Sequence, residues 1–404
     1  MQSNKRIAVV MGGRSPEHDV SVVTGLQILD AIDTERYDPF PVYIAPHGQW
    51  YIGDALRDRN NYIFSETAAR ALTPVTLDLS AKGKGILLHQ KSGLLAKSKK
   101  TEFDVAIPAF HGIIGEDGGF QGLMELANIA YVGMRAKACA IFMDKVSTKK
   151  AFAGLGVPQL PYAAVERPEN GLLVDADELE KLIEPIGYPC CLKPAHLGSS
   201  IGVGKATSVD EARSILSNIF KYDTKAIIEP FVQNLVEYNV ALRVNADGET
   251  ELSAIERPKS DKELLDFKEK YMAGGGGGKK TVTKEAGAIS QGMLSLTREL
   301  RPNLEQEKID LIQTTAVKIF EAYDRAGAPR IDFISNLESG EIWFNELNPL
   351  PGSFGYFLWE AAEKNVLFSD FLTDLIEEAQ KLHQRVQIPH DPVPKDAQLL
   401  KRPR

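Results

Sequence analysis

Residues 330–352 read RIDFISNLESGEIWFNELNPLPG, and this stretch decides the fold of the whole chain. Two short runs of alternating apolar and polar residues flank a turn of Asn, Ser and Gly, which predicts a β-hairpin. Because side chains alternate between the two faces of a strand, Arg330 shares a face with Asp332, and Glu346 shares one with Asn348. Where these faces coincide, three oxygen ligands lie beside a guanidinium. A set of oxygen ligands without His or Cys is typical of a Mg2+ site. Mg2+ that is held in this way usually bridges the phosphates of a nucleotide.

The alternative interpretation is an exposed hairpin whose charged residues have no function. The second strand contains Ile342, Trp343 and Phe344, which make it too apolar for an ordinary hairpin in water. Carboxylates that are buried in such surroundings need a charged or hydrogen-bonded partner. The hairpin is therefore predicted to be a metal site.

Composition limits the class of protein. A chain of 404 residues is too long for one ordinary core, and 43% hydrophobic with 25% charged residues is typical of soluble globular proteins. The net charge of -8 gives no general attraction to nucleic acid or to an anionic membrane. The sequence has three cysteines without a CxxC pair, no signal-peptide core, and no apolar run of about 18 residues. We expect two or three domains in a reduced, cytoplasmic protein without nucleic-acid or membrane partners.

The N-terminal segment has the order strand, glycine turn, helix. Residues 5–11 form a short apolar run that ends at Gly12 and Gly13, and a helix-like segment follows. This order opens a doubly wound α/β domain, whose ligands gather at the carboxyl ends of the strands. The turn lacks GxGxxG, and no acid follows the second strand to hold a ribose, which disfavours a nicotinamide enzyme. Glu17 and Asp19 lie in the turn and can cap the helix or hold a substrate amine.

A second glycine-rich loop follows the predicted strand FDVAIPAF. It reads HGIIGEDGG over residues 111–119 and contains His111 and Glu116. A doubly wound fold keeps its chemistry in loops at this end of its strands, although a lone His is more often structural. Residues 54–100, which precede the strand, are polar and mixed in pattern, and they predict an insertion with marginal strands.

The segment that starts at Ala138 and includes IFMDKVSTKKAFAGLG predicts one continuous helix. Lysines on a helix usually form a solvated face, and Lys149 and Lys150 fit that pattern. Lys145 is the exception, because apolar residues surround it in the sequence. We expect Lys145 to have a function.

The strand YPCCLKP carries Lys193 and leads directly into a loop of small residues, AHLGSSIGVGKA. Backbone N–H groups of glycines, the hydroxyls of Ser199 and Ser200, and a nearby lysine can cradle phosphates without a helix terminus. The alternative is a flexible hairpin turn, but ordinary hairpins need about two such residues. We therefore predict a phosphate-binding loop.

The next strand, AIIEPFV, contains Glu229, Phe231 and Val232, and Glu237 follows shortly after it. An apolar strand with an aromatic residue between two acids suits an adenine pocket and its ribose diol. This strand is therefore predicted to lie beside a nucleotide.

The most polar internal segment runs from residue 256 to residue 285 and contains a run of consecutive glycines. Such a run cannot hold one conformation unaided, so the segment is predicted to be a mobile lid. A P-loop is disfavoured, because Lys280 stands where Ser or Thr is required. Lys270 and Tyr271, just before the glycines, are placed to close over a ligand.

Taken together, these motifs resemble the D-alanine–D-alanine ligase family of the ATP-grasp superfamily. The resemblance extends over residues 5–380 and is carried by GGRSPEHDVS, HGIIGEDGGFQG, YVG, MDKVSTKK, KPAHLGSSIGV, EKY and RIDF…NELNPLPG. It implies an α/β, three-domain ATP-grasp fold with an N-terminal doubly wound, Rossmann-like domain. We expect an N-terminal substrate-binding domain (1–137), a central subdomain with the Ser-Gly phosphate loop (138–225), a C-terminal subdomain with the lid and Mg2+ site (226–385), and a disordered tail (386–404).

The resemblance also implies an activity. Such a protein is an ATP-dependent carboxylate–amine ligase that joins a D-alanine-like donor to an amine acceptor through an acyl phosphate. It uses ATP as co-substrate with two Mg2+ ions, for which Mn2+ is an alternative, and small amino acids as substrates. We expect a cytoplasmic homodimer that acts in peptidoglycan biosynthesis for the cell wall.

Roles for individual residues follow from the same resemblance. Contacts to ATP are implied for Lys145, Lys193, Ser200, Glu229, Phe231, Val232, Glu237 and Lys270. Metal binding is implied for Asp332, Glu346 and Asn348. Oxyanion stabilisation is implied for Arg330 and the backbone N–H of Gly352. A hydrogen-bonded set between lid and floor is implied for Glu17, Ser199 and Tyr271, in which Glu17 also binds the donor ammonium. Support of the donor side is implied for His111 and Glu116.

After Asn348 the sequence departs from the family pattern. Pro349 replaces a threonine, and Phe357 stands where the family has a serine that helps to hold the acceptor's carboxylate. Two alternatives stay open: Ser353 has taken over that carboxylate, or the acceptor is larger, more apolar or lacks a carboxylate there. The aromatic residues of the loop predict an aromatic wall: Phe354, Tyr356, Phe357 and Trp359.

Three functions are therefore compared. The resemblance favours D-alanine–D-alanine ligase activity, and Tyr271 matches the dipeptide-forming version of the lid. The altered loop leaves room for a specialised peptide or amide ligase with a more apolar acceptor. A catalytically inactive nucleotide-binding homologue is disfavoured, because every matched ATP and metal position has the expected residue type.

Overall fold

Three β-sheets follow one another along the chain. The computed structural model describes residues 4–62, 70–80, 83–90, 99–198, 201–259, 298–386 and 393–399. Ser199, Ser200, Lys270 and Tyr271 lie outside these residues, as do most of the predicted lid and parts of the insertion and the tail. None of the described helices is both long and apolar enough to cross a bilayer.

The first sheet has eight strands in the order β6-β5-β4-β3-β2-β1-β7-β8. Their bounds are Lys5–Gly12 (β1), Tyr37–Ile44 (β2), Trp50–Ile52 (β3), Thr73–Leu77 (β4), Gly85–His89 (β5), Lys100–Phe103 (β6), Val105–Pro108 (β7) and Ala130–Tyr131 (β8). β1 pairs in parallel with β2 and β7, and β7 pairs in parallel with β8, as the predicted doubly wound domain requires. The polar insertion contributes β4 and β5, which extend this sheet in antiparallel fashion together with β3 and β6.

Nine α-helices lie within the described residues. They are His18–Ala31 (α1), Gly119–Leu126 (α2), Ala136–Met143 (α3), Lys145–Ala153 (α4), Ala176–Ile183 (α5), Val209–Ile219 (α6), Gln306–Ala322 (α7), Tyr356–Glu360 (α8) and Phe368–Arg385 (α9). In the first sheet, alternate residues of the buried strands face opposite helices. The face that carries Ile7 and Val9 packs against α1 and α9, and the face that carries Ala8 and Val10 packs against α2.

The second sheet is antiparallel, in the order β11-β10-β12-β9. Its strands are Ala163–Glu166 (β9), Cys190–Pro194 (β10), Gly204–Ala206 (β11) and Lys225–Pro230 (β12). Cys190 and Leu192 pack in the core beneath α5 and α6. The period of two along β10 therefore places Cys191 and Lys193 on the opposite, open face.

The third sheet has the order β16-β15-β13-β17-β18, with β14 paired to β13. Its strands are Leu235–Val244 (β13), Thr250–Leu252 (β14), Glu256–Pro258 (β15), Arg298–Leu300 (β16), Arg330–Asn336 (β17) and Ile342–Asn348 (β18). One face packs against α3, α4 and α7 through residues such as Val240, Phe333 and Phe344. β17 and β18 form the predicted hairpin.

A β-bulge interrupts this hairpin. Phe333 pairs with Phe344 and Asp332 pairs with Glu346, so Asn345 is an extra residue in β18. Phe344 and Leu347, three positions apart, both reach the core because of this residue. Asn345 and Glu346 both line the cleft on the opposite face.

The segment from Ala138 is two helices, which corrects the prediction of one continuous helix. Asp144 interrupts it with extended backbone angles and caps α4. Its carboxylate accepts hydrogen bonds from the backbone N–H groups of Val146 at 2.8 Å and Ser147 at 3.1 Å. Aspartate is a strong N-cap, and this cap sets the position from which Lys145 extends.

Candidate active site

A cleft lies between the open faces of the second and third sheets. Lys145 and Lys193 lie on one side, and Asp332, Asn345 and Glu346 lie on the other. The cleft brings the ammonium groups of Lys145 in α4 and Lys193 in β10 close to the carboxylates of β17 and β18.

The two predicted lysines reach across this cleft. Lys145 Nζ donates to the carbonyl oxygen of Leu197 at 2.9 Å and lies 3.3 Å from a carboxylate oxygen of Glu346. Lys193 Nζ donates to Asn345 Oδ1 at 3.1 Å, a contact that the bulge in β18 makes available. Both ammonium groups are thus held where an anionic ligand would enter.

A buried ion triad supports Lys193 from behind. The Glu229 carboxylate lies 2.7 Å from Lys193 Nζ and 2.6 Å from Lys149 Nζ, and the side chain of Lys149 is only 2% exposed. Burial alone would raise the pKa of Glu229, but the charges of Lys193 and Lys149 outweigh it and lower that pKa to about 2. The expected solvated position of Lys149 is therefore wrong. Glu229 lies behind the lysines and positions them.

The other residues expected around adenine line the cleft. Phe231 and Val232 form one part of its wall together with Ile334, and Glu237 lies at the same end. The ammonium of Lys205 lies 4.2 Å from the centre of the Phe231 ring. An aromatic and aliphatic wall that ends at an acid is suited to a base and its ribose.

The hairpin brings the expected metal ligands together. Both oxygens of Asp332 accept hydrogen bonds from Arg330, at 2.6 and 2.7 Å, and Asn348 Nδ2 donates to Asp332 at 2.9 Å. Asp332 and Glu346 are direct cross-strand partners. Among the described residues no three His, Cys, Asp or Glu side chains group as a metal site, so the candidate ligands are two carboxylates and one amide. This donor set fits a hard cation such as Mg2+.

A row of polar residues continues from this site across the third sheet. Asn239 of β13 pairs with Asp332 on one side and with Glu256 of β15 on the other. Directly paired residues point to the same face of a sheet. The row therefore runs from Glu346 through Asp332 and Asn239 to Glu256, on the face opposite the core.

The loops that follow β1 and β7 of the first sheet bring Glu17, His111 and Glu116 together. Glu17 is buried, and a side chain at Gly112 would lie 2.5 Å from its carboxylate, so only glycine permits this approach. No side-chain cap is made by Glu17 at the start of α1. His111 Nε2 lies 2.9 Å from Thr24 Oγ1, and the backbone N–H of Gly112 donates to Glu116 at 2.7 Å. The Glu17 carboxylate also lies 3.8 Å from where a side chain at Gly198, a residue that lines the cleft, would lie.

Burial changes the charge of two groups in this cluster. Burial, followed by the charge of Glu17, raises the pKa of Glu116 to about 8. Burial lowers the pKa of His111 to about 4, against the opposing effect of Glu17. Both His111 and Glu116 are hydrogen bonded to the backbone of Leu350. At neutral pH, two uncharged side chains therefore link the first sheet to the loop after the hairpin.

Replacing Glu116 by glutamine should remove part of the pH dependence of stability. A carboxyl group whose pKa is higher in the folded protein loses its favourable contribution as the pH rises, here between about 4.5 and 8. The variant should match the wild type at pH 5 and exceed its free energy of unfolding at pH 8 by about 1 kcal/mol or more. Urea unfolding at both pH values measures this difference, and Glu169→Gln, at an exposed position, is the control. Equal changes with pH in Glu116→Gln and wild type would contradict the assignment.

The loop after the hairpin has strained backbone. Ser353 and Phe354 have positive φ angles of 48° and 53°, which residues with a side chain seldom adopt. The Ser353 hydroxyl is hydrogen bonded to the Gln27 side chain of α1. Gly352, expected to offer its backbone N–H, directly precedes this pair. Strain of this kind is typical of a functional loop.

The predicted aromatic wall is only partly correct. Phe354 and Trp359 are 1% and 0% exposed and lie in the core that the loop shares with the first sheet. Tyr356 stacks on Phe368 of α9. Phe357 remains half-buried, and the guanidinium of Arg298 lies 4.4 Å from the centre of its ring. The wall is reduced to one aromatic side chain under a cation.

Sequence reasoning missed three residues that contact the predicted site residues. Asn345 required knowledge of the bulge, and Arg298 required the pairing of a short edge strand. Lys149 had a signal, because it lies four positions after Lys145 and shares its helix face.

Comparisons with known proteins agree with this geometry. The family models "D-ala D-ala ligase N-terminus" and "D-ala D-ala ligase C-terminus" match residues 6–134 and 151–377. A D-alanine–D-alanine ligase of Geobacillus thermodenitrificans is 33% identical over 394 residues, which are 95% of this chain and 97% of that protein. One of Thermoanaerobacter sp. is 31% identical over 383 residues, 94% and 97% of the two chains.

Solved structures show the same fold. The D-alanine–D-alanine ligase of Coxiella burnetii superimposes with a TM-score of 0.72 at 22% identity, covering 95% of each chain. The VanG D-Ala:D-Ser ligase of Enterococcus faecalis superimposes with a TM-score of 0.71 at 26% identity, covering 93% of this chain and all of that one. Two sheets that face each other across a cleft, one with lysines and the other with carboxylates, define an ATP-grasp ligase. The chain belongs to the D-alanine–D-alanine ligase family, whose members are ATP-dependent and form a C–N bond.

Proposed function

We propose that this protein joins the carboxyl group of D-alanine to the amine of a second amino acid, with hydrolysis of ATP to ADP and phosphate. The observation that carries the proposal is the position of Arg330. Arg330 is hydrogen bonded to Asp332 in the β17–β18 hairpin. Leu350, in the loop after this hairpin, is hydrogen bonded through its backbone to His111 and Glu116 of the first sheet. A nucleotide phosphate on one side and an amino acid on the other would therefore meet at one guanidinium.

Lys145 and Lys193 bind the phosphates of ATP in this proposal. Ammonium groups form short, charge-assisted hydrogen bonds to phosphate oxygens, and the present contacts with Glu346 and Asn345 hold them ready. Two Mg2+ ions, with Mn2+ as an alternative, would be held by Asp332, Glu346 and Asn348. Asn348 donates its amide nitrogen to Asp332, so the amide would rotate to offer its oxygen to the metal. When bound, Mg2+ neutralises phosphate charge while the γ-phosphoryl group moves to the donor carboxylate.

Arg330 and the backbone N–H of Gly352 stabilise the oxyanion that forms when the acceptor amine attacks the acyl phosphate. Burial opposes the charge of Arg330, but the Asp332 carboxylate outweighs this effect and raises the Arg330 pKa. The guanidinium is thus charged at every pH at which the enzyme works. The amine forms the new C–N bond, the C–O bond to phosphate breaks, and the proton that the amine loses passes to the released phosphate.

Glu17 binds the ammonium group of the donor. Its buried carboxylate lies next to Gly112 of the first sheet and about 4 Å from where a side chain at Gly198 would lie. The loop that begins at Gly198 continues into Ser199, which we propose to complete a hydrogen-bonded set with Glu17 and Tyr271.

The setting of the reaction is part of the proposal. We infer a homodimer that acts in the cytoplasm, where D-alanine and ATP are available for peptidoglycan precursors. A D-serine acceptor is the second candidate, because a structural relative is titled a D-Ala:D-Ser ligase and the loop around Phe357 departs from the family pattern. A larger, more apolar acceptor is the third.

The test of this function is release of phosphate by purified protein with ATP, Mg2+ and D-alanine. We expect release that depends on D-alanine, and a product whose mass is that of D-alanyl-D-alanine. L-Alanine is the control and should give little release. A panel of D-serine and apolar amines, each added with D-alanine, separates the three acceptors by product mass. If no amino acid stimulates phosphate release, the protein is not a ligase.

A further inference from the structure

A dipeptide ligase has to bind a second carboxylate. The acceptor attacks with its amine, so its own carboxylate stays free and negatively charged throughout the reaction. In a cleft with little water such a group needs a cationic or strongly donating partner. The sequence offers an aromatic residue, Phe357, at the loop position where a hydroxyl was expected.

The Ser353 hydroxyl already has a hydrogen-bond partner in the structure. Its Oγ is hydrogen bonded to Gln27 of α1, and its backbone is fixed in the left-handed region. The cations of the nucleotide side also have partners already. Lys145 contacts Glu346, Lys193 contacts Glu229, and Arg330 forms two hydrogen bonds with Asp332.

Arg298 differs from these cations in its position. Leu300 of β16 pairs with Glu256, and Arg298 pairs with Pro258 on the same ladder. Because residues two apart share a face, Arg298 points to the same face as Glu256. It therefore extends the polar row that contains Asp332 and Asn239, at the edge of the sheet that adjoins Phe357.

The surroundings hold this guanidinium in one orientation. Arg298 Nη1 donates to Glu256 at 2.6 Å, and the Glu256 side chain is 0% exposed. Asn239 donates to the other oxygen of Glu256 at 3.2 Å. The flat guanidinium lies over the Phe357 ring. A buried carboxylate, a backing amide and an aromatic face thus position one arginine.

One side of the guanidinium is not used. Within the described ranges, Arg298 forms a hydrogen bond through Nη1 and not through its other two side-chain nitrogens. The arginine side chain is 28% exposed. Arginine offers five N–H donors in a planar fork that matches a carboxylate. An arginine that stacks on an aromatic ring and bonds a carboxylate at one nitrogen keeps its remaining donors in a fixed plane.

We propose that Arg298 binds the carboxylate of the acceptor substrate, with Glu256 and Phe357 holding the guanidinium in place. This inference rests on the proposed ligase function. In this proposal the Phe357 ring supports the Arg298 guanidinium, and Arg298 binds the carboxylate that the family's serine hydroxyl helps to hold. The acceptor is then an amino acid with a free carboxylate, and amines without one are poor substrates.

A competition between two acceptors tests this assignment. Equal concentrations of D-alanine and D-alaninamide are added with ATP and Mg2+, and mass spectrometry gives the ratio of D-alanyl-D-alanine to D-alanyl-D-alaninamide. The wild type should favour the dipeptide acid. Arg298→Gln should lower this ratio by roughly 10- to 100-fold, as expected for loss of a charged hydrogen-bonding partner. Arg298→Lys, which keeps the charge without the fork, should give an intermediate ratio.

Two controls separate binding from damage. Arg257→Gln removes the neighbouring arginine of β15, whose partner is Glu299 at 3.6 Å, and should leave the ratio unchanged within twofold. Trapping of the acyl phosphate with hydroxylamine reports donor activation, which Arg298→Gln should leave intact. An unchanged product ratio in Arg298→Gln, or an equal fall of both products, overturns the proposal. Absence of both products in the wild type overturns the ligase function itself and this inference with it.

Discussion

Replacing Glu346 by glutamine should lower the kcat of D-alanine-dependent phosphate release by roughly 100-fold or more. Glu346 is one of two carboxylates in the β17–β18 hairpin that we propose to bind Mg2+, and it lies 3.3 Å from Lys145. Glutamine keeps the shape of the side chain but removes its charge, so the proposed Mg2+ site loses a charged ligand and the Lys145 ammonium loses its counter-charge. The rate is measured at saturating ATP and D-alanine over a range of Mg2+ concentrations.

The control for this variant is Glu341→Gln, an exposed position at the turn of the same hairpin, whose rate should stay within twofold of the wild type. Comparison of the two variants separates loss of a ligand from disturbance of the hairpin. If Glu346→Gln keeps more than about a third of the wild-type rate at saturating Mg2+, the assignment of Glu346 as a ligand is wrong.

The second large effect is on stability. Glu229→Gln should reduce the free energy of unfolding by about 3–5 kcal/mol, because it leaves the ammonium groups of Lys149 and Lys193 buried without their shared carboxylate. Urea unfolding followed by far-UV circular dichroism measures the change. Glu166→Gln is the matched control, because that glutamate is 70% exposed and 3.8 Å from Lys225, and it should change stability by less than about 0.5 kcal/mol.

The pH dependence of this effect has a defined sign. The pKa of Glu229 is lower in the folded protein, about 2 against 4.5, so its contribution is complete above pH 4.5 and is lost as the pH falls towards 2. Wild type should therefore lose stability over this window faster than Glu229→Gln does. A loss of less than about 1 kcal/mol in the variant at pH 7, or parallel acid curves, would show that the triad contributes little.

The parts of the site that depend on residues close together in the sequence were predictable from it. The hairpin, the parallel strands with their glycine loops and the position of Lys193 depend on periodicity and on turn residues that are close in the chain. The sequence also identified the loop after Asn348 as unusual. Ordered motifs then gave the family, which the comparisons confirm.

The remaining features depend on contacts between distant segments. The bulge at Asn345 exists because both Phe344 and Leu347 have to reach the core, a requirement set by α3, α4 and α7. The break at Asp144 was visible only as one capping residue within a helix-like pattern. Phe354 and Trp359 look like a ligand wall in sequence, but the face of the first sheet buries them.

The core that contains Phe354 and Trp359 has a consequence for folding during synthesis of the chain. One apolar face of the first sheet, with Ile7 and Val9, is covered in part by Phe371 and Leu375 of α9. A ribosome that adds roughly 5–20 residues per second reaches α9 on the order of ten seconds or more after completing β8. The second sheet, whose core lies within residues 165–228, can fold during this interval. One face of the first sheet is therefore completed only after α9 has been synthesised, although the strands of this sheet are among the first residues to be made.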